Sequence, residues 1–166
     1  EKRLMLGNAI HEIEDSYELA DVKKFHLDRI KSLFDIEFIA NELKKMKMRI
    51  FVDSMHGSAA KCISEIFGCN DSGVVSEIRK NSDPLFGGNP PEPLINYLDD
   101  LKETLIKNSK NELKTLGIIF DGDGDRIAAI DEKGRYCSTQ DLLPYFINYL
   151  GGVNDNSYPV LKTVSG

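Results

Sequence analysis

One stretch constrains this chain more than any other. The apolar run Leu116-Gly117-Ile118-Ile119-Phe120 passes directly into Asp121-Gly122-Asp123-Gly124-Asp125-Arg126, and the apolar pattern resumes at Ile127-Ala128-Ala129-Ile130. A run of five apolar residues predicts a fully buried strand. Carboxylates at alternate positions, separated by glycines, predict a curled loop that turns three acidic side chains inward. Three carboxylates brought together repel one another unless a cation lies between them. A hard ion such as Mg²⁺ takes oxygen ligands in near-octahedral geometry, so three carboxylates leave positions for water or phosphate. The buried run places this loop at the C-terminal end of a strand, where open α/β sheets bind ligands. Arg126 adds a planar cation suited to bidentate contact with a phosphate.

The elements on either side support an α/β fold. Phe25, Leu27, Ile30, Leu33 and Phe34 predict a short helix. Asp35 is placed to cap a second helix, with Ile36, Ile39, Leu43 and Met46 on one face. Met48 to Asp53 reads as a strand, Ser54 to Gly57 as a turn, and Ala59 to Phe67 as a helix stopped by Gly68. Val74, Val75 and Ile78 predict another strand, and the Pro-rich segment 81–93 a loop. Leu94, Leu98, Leu101 and Leu105 predict a helix fading near Asn108. Ser138 and Asp141 form a capping box that opens a helix through Leu142, Phe146, Ile147 and Leu150. Pro144 is expected to kink this helix and Gly151-Gly152 to end it. Alternating helices and strands imply a three-layer α/β/α sandwich on a mixed, mostly parallel sheet of about four strands.

Composition narrows the function classes. Of 166 residues, 41% are hydrophobic and 29% charged, the balance of a globular domain, and the net charge is −6. No basic patch suggests nucleic acid as a partner. No apolar run approaches the ~18 residues of a membrane span. Cys62, Cys69 and Cys137 lack metal-type spacing and read as reduced thiols, which implies a cytoplasmic setting. His56 reads as a support for its turn, with a catalytic base as the alternative; His11 and His26 read as surface groups. Asp53 is placed to cap the helix after its strand. The apolar Leu85 and Phe86 suggest contact with a neighbouring domain.

Other loop types share parts of this pattern. An EF-hand matches the acids Asp121, Asp123, Asp125 and Glu132, but Arg126 stands where that loop needs glycine and strands flank it. A haloacid dehalogenase-type phosphatase, with Asp121 as nucleophile, resembles Phe120-Asp121-Gly122-Asp123, but Asp125 replaces its Thr or Val. A non-catalytic cation-binding module is the third alternative.

The string Asp121 to Arg126 resembles the metal loop of the α-D-phosphohexomutases, the phosphoglucomutase/phosphomannomutase family. The likeness extends to Val52-Asp53-Ser54-Met55-His56-Gly57, to Asp83-Pro84-Leu85-Phe86-Gly87-Gly88 with Pro91-Glu92-Pro93, to Tyr136-Cys137-Ser138-Thr139-Gln140-Asp141-Leu142-Leu143, and to Leu161-Lys162-Thr163-Val164-Ser165. It implies a lead-in arm over residues 1–20, the family's second domain over 21–155, and the start of a third over 156–166. It also implies interconversion of hexose 1-phosphate and hexose 6-phosphate through a phosphoserine and a bisphosphorylated sugar. Asp121, Asp123 and Asp125 would hold Mg²⁺, Arg126 would act at the reacting phosphate, and the other domains of the chain would be partners. The wording around His56 and Pro84 is more similar to the glucose and mannose mutases than to the glucosamine mutases. The family's Thr-Ala-Ser-His-Asn-Pro serine loop, its Gly-Glu-Glu-Ser-Gly segment and its Arg-x-Ser-Gly-Thr loop do not occur in these 166 residues, so the chain alone is expected to be inactive.

Overall fold

A computed structural model describes residues 20–68, 73–109, 113–153 and 159–161. Residues 1–19 of the lead-in arm, with His11, and also Cys69 and most of the expected third-domain start lie outside the described residues. Helices α1 (Val22–Leu33) and α2 (Ile36–Lys45) precede β1 (Met48–Asp53). Helix α3 (Cys62–Phe67) leads to β2 (Val75–Ile78), and α4 (Asp99–Asn108) leads to β3 (Lys114–Phe120). Then come β4 (Ile127–Asp131), β5 (Tyr136–Cys137) and α5 (Thr139–Asn148). The two expected caps form: the Asp35 carboxylate accepts the amide of Phe38, and Ser138 and Asp141 make a reciprocal capping box.

The strands make one mixed sheet of five, in the order β2-β1-β3-β4-β5. Strand β1 runs parallel to both β2 and β3, whereas β4 is antiparallel to β3 and β5 to β4. The count exceeds the expected four because Tyr136 and Cys137 add a two-residue edge strand, too short to show an alternating pattern.

Register puts Phe51, Gly117, Ile119, Ala128 and Ile130 on one sheet face. That face meets Leu98, Leu101 and Leu105, all fully buried, and together they form the main core. Gly117 is the notch that lets α4 approach: a Cβ there would lie 2.9 Å from Leu101 Cδ2. The opposite face carries Glu77, whose carboxylate bonds Ser64 of α3, so α3 covers that side. Helix α1 packs on α3, α2 on β1, and α5 on β4.

Four expectations change. Strand β3 is not buried on both faces; buried Thr115, Gly117 and Ile119 alternate with half-buried Leu116, Ile118 and Phe120. The helix expected from Leu94 begins at Asp99, because residues 95–97 form a tighter 3₁₀ turn first. The helix expected from Ala59 begins at Cys62 after a run of turns. Helix α5 contains Pro144, and where Gly151 and Gly152 are expected to end the helix a wider helical turn continues to Val153.

Leu101→Ala should cost about 3 to 5 kcal/mol, since its fully buried side chain fills the gap above Gly117. Urea unfolding with an unchanged slope checks this; a loss under about 1 kcal/mol would mean that the core collapses around the gap.

Candidate metal centre

The loop 121–126 is the connection of the β3–β4 hairpin, in which Phe120 pairs with Ile127. It lies at the C-terminal end of β3, as the sequence implies, beside the turn that follows β1. Asp121 organises it. The side chain is fully buried. Its Oδ1 accepts the amides of Gly124 and Arg126, each at 3.0 Å, and its Oδ2 accepts Arg126 Nε at 2.6 Å. Gly124 has φ +81°, a left-handed turn that glycine adopts without a Cβ penalty and that folds the loop back.

Asp123 and Asp125 stay exposed. One ligand oxygen from each of Asp121, Asp123 and Asp125 lies within 4.8 Å of the others. Oxygens around one octahedral Mg²⁺ stand roughly 3 to 4 Å apart, so modest closure completes half of its ligand set. Among the described residues, these are the acidic or sulfur- or nitrogen-bearing side chains grouped closely enough to hold a metal.

The electrostatics fit a cation. Burial pushes the Asp121 carboxyl up, but the amide and guanidinium of Arg126 outweigh it and hold the group below the usual carboxylate range. Asp125 moves the other way. Its hydrogen bond with Asp121, and then the charge of Asp123, push it up. Asp125 therefore holds a proton more readily than a free carboxyl, at the place where a hard cation would relieve the same repulsion. This donor set of oxygens suits Mg²⁺ or Ca²⁺ better than a soft metal. Arg126 is half exposed, with Nε committed to Asp121 Oδ2 and to Asp125 Oδ1 at 3.6 Å.

The secondary candidates resolve into structural roles. His56 supports its turn, its Nδ1–H donating to the Asn81 carbonyl at 2.7 Å. Asp53 does not cap α3. It accepts the Met55 amide and a two-pronged contact from Arg79, a partner that sequence reading did not supply. Phe86 turns inward, with its ring against Gly122, while Leu85 points out, 77% exposed. Cys62 is half-buried, and burial raises its thiol pKa. His26 is exposed. No helix among the described residues is long and apolar enough to cross a membrane.

Known proteins are similar to this chain over most of its length. Human Phosphoglucomutase-1 is 28% identical over 145 residues, covering 82% of this chain and 25% of the relative. The protein named "Probable phosphoglucosamine mutase" of Methanothermobacter thermautotrophicus is 35% identical over 114 residues, covering 67% of this chain and 23% of its own length. The chain thus spans about a quarter of the length of the curated relatives it matches. Among solved structures, a phosphoglucomutase/phosphomannomutase family protein from Burkholderia thailandensis superposes with TM-score 0.60 at 23% identity, over 84% of this chain and 28% of that one. The open form of parafusin, a phosphoglucomutase from Paramecium, superposes with TM-score 0.54 at 25% identity, over 67% of this chain and 20% of that one. Residues 24–134 match the family model for the alpha/beta/alpha domain II of phosphoglucomutase/phosphomannomutase, and the chain belongs to that family.

Proposed function

We propose that this chain is the metal-holding middle domain of an enzyme that interconverts hexose 1-phosphate and hexose 6-phosphate. The observation that supports the reading is the grouping of Asp121, Asp123 and Asp125 within 4.8 Å at the sheet's ligand-binding edge. Mg²⁺ held there would neutralise charge on a phosphoryl group in transfer. Asp121 fixes the loop through its three N–H contacts. Asp123 and Asp125 stand exposed to complete the ligand set. Arg126 is anchored through Nε, which leaves the terminal fork of its guanidinium to grip and orient a phosphate. Its planar shape would hold the anion in one orientation rather than attract it as a point charge. Sugar recognition and the phosphoserine would come from other domains of the same polypeptide, so the 166 residues alone should show no mutase turnover.

Titration of Mg²⁺ and Ca²⁺ into the wild type and Asp123→Asn tests the metal reading. The wild type should bind Mg²⁺ weakly, in the millimolar range for so few protein ligands, and Asp123→Asn at least tenfold more weakly. Affinity should fall in acid, as Asp125, whose pKa is pushed up, holds its proton against the ion. The absence of binding by the wild type, or equal binding by both proteins, would defeat the assignment. A beryllofluoride adduct on Asp121 would favour phosphatase chemistry instead.

A further inference from the structure

The turn after β1 is held from many sides. Met55 and His56 both have positive φ, 44° and 61°, an uncommon conformation for two successive residues other than glycine. The Ser54 amide donates to the Ile78 carbonyl, the Met55 amide to the Asp53 carboxylate, and the His56 amide to the Arg79 carbonyl. The Glu77 carboxylate takes the Ser54 hydroxyl and the Lys61 amide on one oxygen, and the amide and hydroxyl of Ser64 on the other. A turn over-determined in this way acts as a fixed post.

That post presses on the acidic loop. The Ser58 amide donates to the Gly122 carbonyl at 2.9 Å. A Cβ on Gly57 would lie 2.4 Å from that same oxygen and 2.9 Å from the Gly122 carbonyl carbon. On the other side, the Gly122 amide donates to the Pro91 carbonyl at 3.0 Å. A Cβ on Gly122 would lie 2.8 Å from Pro91 Cγ and 3.3 Å from Phe86 Cε1. Gly122 stands between two of the carboxylates, so any shift of its backbone moves Asp121 and Asp123 with it.

We propose that Gly57, on the turn after β1, and Phe86 with Pro91, on the Pro-rich segment, are positioning residues that clamp the backbone of Gly122 and so set the spacing of the three carboxylates. This rests on the reading of the loop as a metal site for its consequence, though not for its geometry. Gly57 does not have a positive φ, so alanine meets no left-handed backbone penalty there. Its effect would come from contact with the Gly122 carbonyl alone. Because that contact is with backbone rather than with a flexible side-chain tip, the loop itself must move.

The test compares the full chain with its Gly57→Ala, Phe86→Ala and Ile130→Val variants. Hydrogen exchange is read at the amides of Gly124 and Arg126, which donate to Asp121 Oδ1, alongside Mg²⁺ titration. Gly57→Ala should speed exchange at both amides tenfold or more relative to the β4 amides, and weaken Mg²⁺ binding about tenfold. Phe86→Ala should do the same by threefold or more, and it carries the test if Gly57→Ala does not fold. Ile130→Val loosens the core under the same strand and should change neither readout. Wild-type exchange at both amides in the folded variants would overturn the clamp, as would an equal response to Ile130→Val. If the wild type binds no Mg²⁺ yet exchange responds as stated, the metal reading fails while the clamp stands.

Discussion

Asp53→Ala should lower folding stability by about 3 to 5 kcal/mol. Asp53 is fully buried at the end of β1, and its partner Arg79 is only 13% exposed. The guanidinium reaches the carboxylate through Nε at 2.8 Å and through Nη2, and Nη2 also donates to the Tyr97 carbonyl. Removing the carboxylate strands a desolvated cation and orphans the Met55 amide. The residual Tyr97 contact cannot neutralise the charge. Asp53→Asn keeps one acceptor but turns an N–H₂ group toward the guanidinium, so its cost should fall between alanine and wild type. Urea denaturation monitored by circular dichroism measures both. A loss below about 1 kcal/mol for alanine would mean that Arg79 finds water or another acceptor when released. Because a domain of this kind has only about 5 to 15 kcal/mol in hand, the alanine variant should be studied well below its melting temperature.

Asp121→Asn should weaken Mg²⁺ binding at least 100-fold, about 2.8 kcal/mol. The substitution removes one of the three proposed ligand charges and, unlike Asp123→Asn, also disturbs the scaffold. The amide oxygen can keep the Gly124 and Arg126 amides, but the new N–H₂ group faces Arg126 Nε, donor against donor. Arg126 should swing away, loosening the phosphate grip proposed for it as well. The folded-state pKa of Asp121 is lowered, because the Arg126 contacts overcome the penalty of burial. Its stabilising contribution is therefore fully present above the unfolded value of about 3.9 and is lost as pH falls through the lower folded value. The stability gap between wild type and Asp121→Asn should be widest near neutrality and close below about pH 4. A gap independent of pH would show that the Asp121 charge contributes nothing to holding the loop.

Much of this fold is legible from residue type and spacing. Asp35 and the Ser138–Asp141 pair act as the caps their positions imply, and β1, β3 and β4 fall where apolar runs place them. The same local reading misplaces the start of α4, since leucines at helical spacing do not distinguish a 3₁₀ turn from the first turn of an α-helix. At the candidate site the three aspartates declare themselves by chemistry. Their supports do not. The Gly57–Gly122 contact joins residues far apart in sequence and consists of missing side chains, which leave no pattern to read. The Asp53–Arg79 pair is equally silent, because either residue alone reads as an ordinary surface charge or cap.

The hairpin that carries the aspartates also differs from the parallel part of the sheet in how cheaply the chain can form it. Phe120 meets Ile127 seven residues away, whereas Asp53 meets Ile119 across 66. Ideal-chain closure makes the longer span about 2 kcal/mol more costly in entropy. The carboxylates thus ride on one of the two local hairpin pairings in the sheet. The parallel pairing that brings Gly57 against them is the long-range one, so the spacing of the acidic loop depends on the contact with the highest entropic barrier to assembly.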